Sequence, residues 1–232
     1  MKLLVINPGS TSTKIAVYEN DVPRLVRNIR HTVDELSAFS HIIDQFEFRK
    51  NLVLKELETN NIPFEFDAIV GRGGLLKPIP GGVYEVNDAM LDDILHAMRT
   101  HACNLGCLIA SELAALLPGC RAFIADPGVV DELDGIARIT GSPLMPRITI
   151  WHALNQRAIA RRYAAEHNMH YEDLDLIVCH LGGGISVGVH HHGKAIDVNN
   201  ALDHILAGTC RYTSCRAVDR PLLFRSLHKR RT

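Results

Sequence analysis

Excess charge of either sign is the first thing missing from this sequence. Its 232 residues carry 25 Lys and Arg against 26 Asp and Glu, a formal net charge of -1. That leaves no bulk electrostatic case for nucleic acid or an anionic membrane as the main partner. Long apolar runs are missing too. No stretch approaches a membrane span, and Leu3 to Ile6, closed by Pro8-Gly9, is far too short for a signal-peptide core. Six cysteines without a secretory signal read as reduced thiols, so a cytoplasmic location is expected. Cys103 and Cys107 share a helical face, but no second Cys/His pair stands at zinc spacing, and both read as buried thiols. A Walker loop, GxxxxGK[ST], and a strand-GxGxxG-helix unit are absent as well, which argues against those two nucleotide-binding designs. The remaining composition, 47% hydrophobic and 22% charged, is that of a globular protein long enough for a proper core.

The hydrophobic pattern alternates between strands and helices. Leu3 to Ile6 is suited to a buried strand, Lys14 to Tyr18 to a second, and Asn20-Asp21 supplies a turn before a third at 22–29. Residues 34–60 read mainly as helix, with Asp34 as N-cap and Leu52, Leu54 and Leu57 among the apolar positions. Asp67 to Val70 is a short buried strand leading into GRGGLLKPIPGG. Asn87 caps a helix in which Met90, Leu91, Ile94, Leu95 and Met98 keep helical spacing. Another helix covers 103–117 and stops at Pro118-Gly119. Ala122 to Ala125 is a strand ending at Asp126-Pro127. A linker-like stretch with Gly141, Pro143 and Pro146 precedes a helix from Ile150 to Glu166.

LDLIVCHLGGGISVGVHHHGKAIDVNN then repeats the opening layout of strand, glycine or hydroxyl turn, strand, turn, strand. Leu3 to Asn7 sits against Leu176 to His180, and Gly9 against Gly182. A repeat constrains the whole architecture. It predicts two similar α/β domains, 1–130 and 131–203, facing a cleft towards which both strand-turn-strand tips point. After Asn200 only 32 residues remain, too few for the helices and strands of the first half. The second domain is therefore expected to be cut short. Residues 204–232, rich in Arg and Cys without periodicity, read as an aberrant tail.

Several motifs carry chemistry, each with a plainer alternative. NPGSTSTK sets backbone amides and the hydroxyls of Ser10, Thr11, Ser12 and Thr13 around a tight turn, with Lys14 behind them. Such a turn can hold phosphate oxygens or simply join two strands; its echo at His180-Leu181-Gly182-Gly183-Gly184 favours phosphate. Arg72 and Lys77 stand on a glycine-rich loop after a strand, where an arginine can grip a carboxylate or phosphate or merely be solvated. His101, Asp126 and His152 lie near predicted element ends, where loops present chemistry and where structural polar residues also occur. His190-His191-His192 alternate between faces of a strand, so at most two converge on a metal, and a solvated hairpin tip is expected.

Together INPGSTSTKIAVYE, VGRGGLLKPIPGGVYEVND, HACNLG, AFIADPGVVDEL, WHALNQRAIARRYA and LIVCHLGGGISVGVHHHGKAIDVNNALD resemble the acetate kinase family of acyl-phosphate-forming kinases. The GRGG loop and HALNQ favour its butyrate and branched-chain acid kinases. The resemblance covers 1–203 and implies an α/β fold of duplicated ribonuclease-H-like (actin/hexokinase-type) domains, the second incomplete. It implies transfer of the ATP γ-phosphoryl group to a short-chain carboxylic acid with Mg2+, giving ADP and an acyl phosphate. It also implies a homodimer. By the same resemblance Asn7, Ser10, Ser12 and Lys14 form the metal and phosphate turn, and Arg72 and His101 serve the substrate. Asp126 is the catalytic aspartate acting through the metal, so Asn7 and Asp126 are its expected ligands. His152 stabilises the transferring phosphoryl group, and His180 with Gly182, Gly183 and Gly184 forms the nucleotide-side turn.

The departure begins after Asp203. Ala207-Gly208-Thr209 survives, but Leu206 stands where the family has an arginine, and Cys210 follows. Thr209 to Cys215 can be encoded ACC TGC CGG TAT ACG AGC TGC, which read from the third base gives LPVYEL, a family-like continuation. Phe224 to Thr232 can likewise yield SKFTQEED. A frameshift is the expectation these codons raise, and sequencing the gene across them decides it. The copy is accordingly expected to be impaired, or a non-catalytic remnant that keeps a carboxylate or phosphate site.

Overall fold

Strict alternation in β1 (Lys2–Pro8) sends Leu4 and Ile6 into the core and leaves Asn7 on the opposite sheet face. β2 (Ser12–Glu19) pairs with it antiparallel, placing Asn7 opposite Lys14. β3 (Val22–Arg30) adds antiparallel to β2 through a turn in which Asn20 takes the left-handed conformation, φ 54°.

The helical segment expected over 34–60 is divided. α1 (Val33–Ser37) is capped by Thr32 rather than Asp34: the Thr32 hydroxyl accepts from the Glu35 amide, and the Glu35 carboxylate accepts from the Thr32 amide. A 3-10 turn at Ile42–Gln45 follows, because the Asp44 carboxylate draws the His41 amide to itself at 2.9 Å and starts a new helical entry. α2 (Phe46–Thr59) then runs uninterrupted. β4 (Ala68–Arg72) lies parallel beside β1.

β5 (Val83–Glu85) was not foreseen; three residues are too few to show a period. α3 (Asp88–Leu95) begins at Asn87, whose side chain accepts from the Met90 amide at 3.0 Å. α4 (Asn104–Ala115) leads to β6 (Arg121–Ala125), parallel to β4 and antiparallel to β5. The sheet order is β3-β2-β1-β4-β6-β5. Leu4, Ile6, Ile15, Val17 and Ile69 of the sheet pack on Val53 and Leu57 of α2 and on Leu105, Ile109 and Leu113 of α4. Each such burial is worth about 1.5–3 kcal/mol. These elements form one compact unit, Met1–Val129.

A second unit starts at Val130. Its helix, α5 (Ala153–Glu166), begins after His152 and not at Ile150. Ile150 and Trp151 are used as extended core residues instead: the Trp151 indole donates to the Val130 carbonyl at 2.8 Å, and the Ile150 carbonyl accepts from Ala201. β7 (Asp175–Leu181), β8 (Ile185–His191) and β9 (Lys194–Val198) make a three-stranded antiparallel sheet. The strand-turn-strand-turn-strand opening thus occurs once in each unit.

The solvated-tip expectation for the histidine run fails at one position. His190 is fully buried, while His191 is exposed and paired with Asp175, and His192 makes the turn at φ 46°. The strand runs on further than the triplet implied, and its inward face takes His190. Among the described residues no helix is long and apolar enough to cross a membrane, and no group of three or more His, Cys, Asp or Glu is placed to hold a metal.

The computed structural model describes residues 1–97, 99–140, 144, 146–182 and 184–202. Met98, the linker residues Gly141 and Pro143, Gly183, and 203–232 with Leu206, Cys210, Cys215 and the frameshift expectation lie outside the described residues.

Candidate functional site

In the first unit the chemistry gathers at the carboxyl ends of the parallel strands, where open α/β sheets bind ligands. Asn7 ends β1, Arg72 ends β4, and Asp126 follows β6. Lys14, Asn7 and Arg72 form a row on the sheet face opposite α2 and α4: Lys14 is the cross-strand partner of Asn7, and an Arg72 guanidinium nitrogen lies 3.5 Å from Asn7 Oδ1. Neither Lys14 nor Arg72 has an ion pair among the described residues.

The turn between β1 and β2 is held from beneath by Arg49 of α2, which has no exposed surface. One Arg49 nitrogen donates to the Gly9 carbonyl (2.9 Å), the Ser12 carbonyl (3.2 Å) and Thr13 Oγ1 (3.0 Å), and the others donate to Gln45 Oε1. All these acceptors are neutral. A buried guanidinium without a carboxylate is costly, and here it adds positive potential directly under Ser10 and Ser12.

His101 closes the other side of the turn, with Nε2 3.4 Å from Ser10 Oγ. Its Nδ1 accepts from the Cys103 amide at 3.2 Å, which puts the proton on Nε2 and makes it the donor to Ser10. Burial, then the charges of Arg72 and Arg49, hold its pKa below the ordinary histidine value. His101 is thus a neutral donor beside two fixed cations.

Asp126 is buried and bent into the left-handed region, φ 36°, a conformation that costs about 1 kcal/mol or more for a non-glycine residue. It is fixed there by Gly82, whose amide donates to Asp126 Oδ1 (2.9 Å) and whose carbonyl accepts from the Asp126 amide (2.8 Å). Lys77 stands apart, exposed and paired with Asp93.

The GRGG glycines serve packing. A Cβ on Gly71 would lie 2.1 Å from the Gly106 carbonyl oxygen, and one on Gly106 2.4 Å from the Arg72 oxygen. α4 therefore rests directly on the β4 backbone, which sets where Arg72 and His101 sit.

The second unit brings together His152, His180 and the glycine turn. The two imidazoles stack, centroids 3.7 Å apart and 10° from parallel. The Gly182 amide donates to the Gly184 carbonyl at 3.2 Å, and a Cβ on Gly184 would stand 3.2 Å from His152 Cε1. His180 Nδ1 lies 3.0 Å from Asn155 Oδ1. Sequence reasoning passed over Arg49, Ser186, Gln156 and Tyr171. Gln156 carried a signal, since it stands one helical turn after His152.

No protein-family profile matches the chain. Individual proteins do. Over 203 residues, 88% of the chain, it is 77% identical to a probable butyrate kinase of Bacteroides thetaiotaomicron, covering 58% of that protein. It is 56% identical over 203 residues to a probable butyrate kinase of Phocaeicola vulgatus, covering 57% of it. It is also 56% identical over 204 residues to butyrate kinase 2 of Clostridium acetobutylicum, again covering 57%.

Over these residues the chain is similar to butyrate kinases.

It spans a little over half the length of those relatives. Among solved structures it is similar to acetate kinase of Porphyromonas gingivalis, with a TM-score of 0.59, 18% identity, and coverage of 86% of this chain and 57% of that one. A propionate kinase of Francisella tularensis gives a TM-score of 0.58 at 17% identity, covering 87% and 57%. These likenesses are of fold: a duplicated ribonuclease-H-like (actin/hexokinase-type) α/β architecture. Its second copy is present among the described residues as α5 and three strands.

Proposed function

We propose that this chain carries the acid-and-phosphate side of a butyrate-kinase-type phosphotransferase. A carboxylate oxygen of butyrate or a branched short-chain acid forms a bond to the γ-phosphorus of ATP. The bond to the bridging oxygen breaks, ADP leaves with the electron pair, and an acyl phosphate results. Such a transfer needs positioning and charge neutralisation more than covalent help. The observation that supports this reading is the set of cations without acid partners, Lys14, Arg72 and buried Arg49, around the hydroxyl turn and neutral His101.

In this reading Ser10, Ser12 and Asn7 accommodate phosphoryl oxygens, and Arg72 with His101 orients the acid. Asn7 and Asp126 offer hard amide and carboxylate oxygens, the donor chemistry of a Mg2+ site that takes its remaining ligands from phosphate and water. Bound there, Mg2+ would neutralise phosphate charge. His152 donates to the transferring group, with His180 and Gly182 to Gly184 on the nucleotide side. A homodimer in the cytoplasm belongs to the same reading.

A second reading is a non-catalytic chain that keeps the anion site or associates with a full-length homologue. Its support is Leu206, which stands where the resemblance leads one to expect an arginine. A coupled ADP-release assay with butyrate, isobutyrate and acetate separates the two. Turnover that favours the four-carbon acids supports the kinase. No turnover with any acid, with phosphate still bound, supports the remnant. Neither turnover nor binding contradicts both.

A further inference from the structure

A continuous line of buried hydrogen bonds runs through the second unit to His152. Tyr171 Oη lies 2.6 Å from His190 Nδ1, and His190 Nε2 lies 2.9 Å from Gln156 Oε1. Gln156 Nε2 donates to the Ser186 carbonyl (3.0 Å) and to Ser186 Oγ (2.8 Å). Ser186 Oγ lies 2.9 Å from His152 Nδ1. Gln156, Ser186 and His190 have no exposed surface, and Tyr171 is buried.

The direction of every bond follows from one fixed acceptor. The Ser186 backbone carbonyl can only accept, so the Gln156 amide must face it with its NH2 group and turn its oxygen to His190. His190 therefore carries a proton on Nε2. Burial and the nearby Arg157 push its pKa down to about 4, so the ring is neutral and Nδ1 accepts from the Tyr171 hydroxyl. Ser186 Oγ accepts from Gln156 and, at 3.4 Å, from the His152 backbone amide, so its own proton goes to His152 Nδ1.

We propose that Tyr171, His190, Gln156 and Ser186 are a positioning chain that occupies His152 Nδ1 as an acceptor and fixes the imidazole in its neutral Nε2–H tautomer. Gly188 makes room for it: a Cβ there would stand 2.4 Å from Gln156 Oε1 and 3.0 Å from His190 Nε2. The use of that proton, donation to a phosphoryl oxygen, rests on the kinase reading. The tautomer does not.

The test is a two-bond 1H–15N correlation spectrum of the whole chain labelled at histidine, recorded at neutral pH. His152 and His190 are both expected with bare Nδ1 and protonated Nε2. His152 protonated at Nδ1, or exchanging between tautomers, would overturn the proposal, and this wild-type spectrum is decisive even where a variant fails to fold. Ser186→Ala is expected to release Nδ1 and produce an Nδ1–H population at His152; an unchanged single tautomer would overturn the positioning role. Inorganic phosphate then tests the kinase reading by itself: an unmoved Nε2 proton with the tautomer intact counts against the function and supports the chain.

Discussion

Arg49, itself without exposed surface, gives its protons to the half-buried Gly9 and Ser12 carbonyls, the Thr13 hydroxyl and the Gln45 side-chain oxygen. In Arg49→Met the Ser12 carbonyl keeps the Gly9 amide and the Thr13 hydroxyl keeps His31, but the Gly9 carbonyl and Gln45 Oε1 lose this donor, and a buried polar atom left unpaired costs about 1–3 kcal/mol. A loss of about 3 kcal/mol in urea unfolding is expected, with less for Arg49→Lys, which keeps the charge and part of the bonding. Stability within 0.5 kcal/mol of wild type would contradict that role. His190 gives a second residue-scale outcome. Its folded pKa of about 4 lies below the ordinary value of 6.5, so the unfolded chain binds the proton more readily. Its contribution is complete above pH 6.5 and is lost as pH falls towards 4, about 2 kcal/mol between pH 6.5 and 5. Denaturation at those two pH values checks it, and replacing His190 should flatten the slope. Asn7, Ser10, Ser12 and Lys14 stand within one eight-residue stretch, so the sequence alone sets them on one strand pair and its turn. Arg49 was not legible, because its neighbours Glu47 and Lys50 form a surface ion pair and make the segment read as a solvated helix face.

At the scale of elements, the position of α4 depends on the bare backbones of Gly71 and Gly106. Gly106→Ala inserts a carbon 2.4 Å from the Arg72 oxygen, so α4 must shift, and a loss of about 3 kcal/mol is expected. The same shift would separate His101 from Ser10. Calorimetry checks the first effect and the His101 ring signals the second; an unperturbed melting temperature would contradict direct backbone contact. β1, β2 and α4 were legible because alternation and helical spacing persist for several residues in each. β5 was too short to show a period, and the break before α2 depends on one Asp44–His41 contact that no periodicity records.

At the scale of the molecule, the repeat is the most informative feature of the sequence, since two matched strand-turn-strand units imply a duplicated α/β architecture, and each unit contains such a run of strands. It did not show which sheet faces would be covered. In the second unit Ile177, Leu181, Ile185 and Val187 share one face of β7 and β8 and are exposed among the described residues, Leu181 at 75%. A contiguous apolar patch of this kind favours association. Ile177→Lys with Val187→Lys is expected to reduce self-association in sedimentation velocity without lowering the melting temperature. An unchanged sedimentation profile would show that this face plays no part.

The most direct measurement of an anion site in the first unit is a titration of the 15N-labelled chain with inorganic phosphate and with butyrate. Saturable shifts are expected at the amides of Gly9 to Lys14, at Arg72 and at the His101 ring. Arg72→Ala should weaken binding at least about tenfold, the equivalent of 1.4 kcal/mol. Linear, unsaturable shifts, or the same affinity in Arg72→Ala, would contradict it.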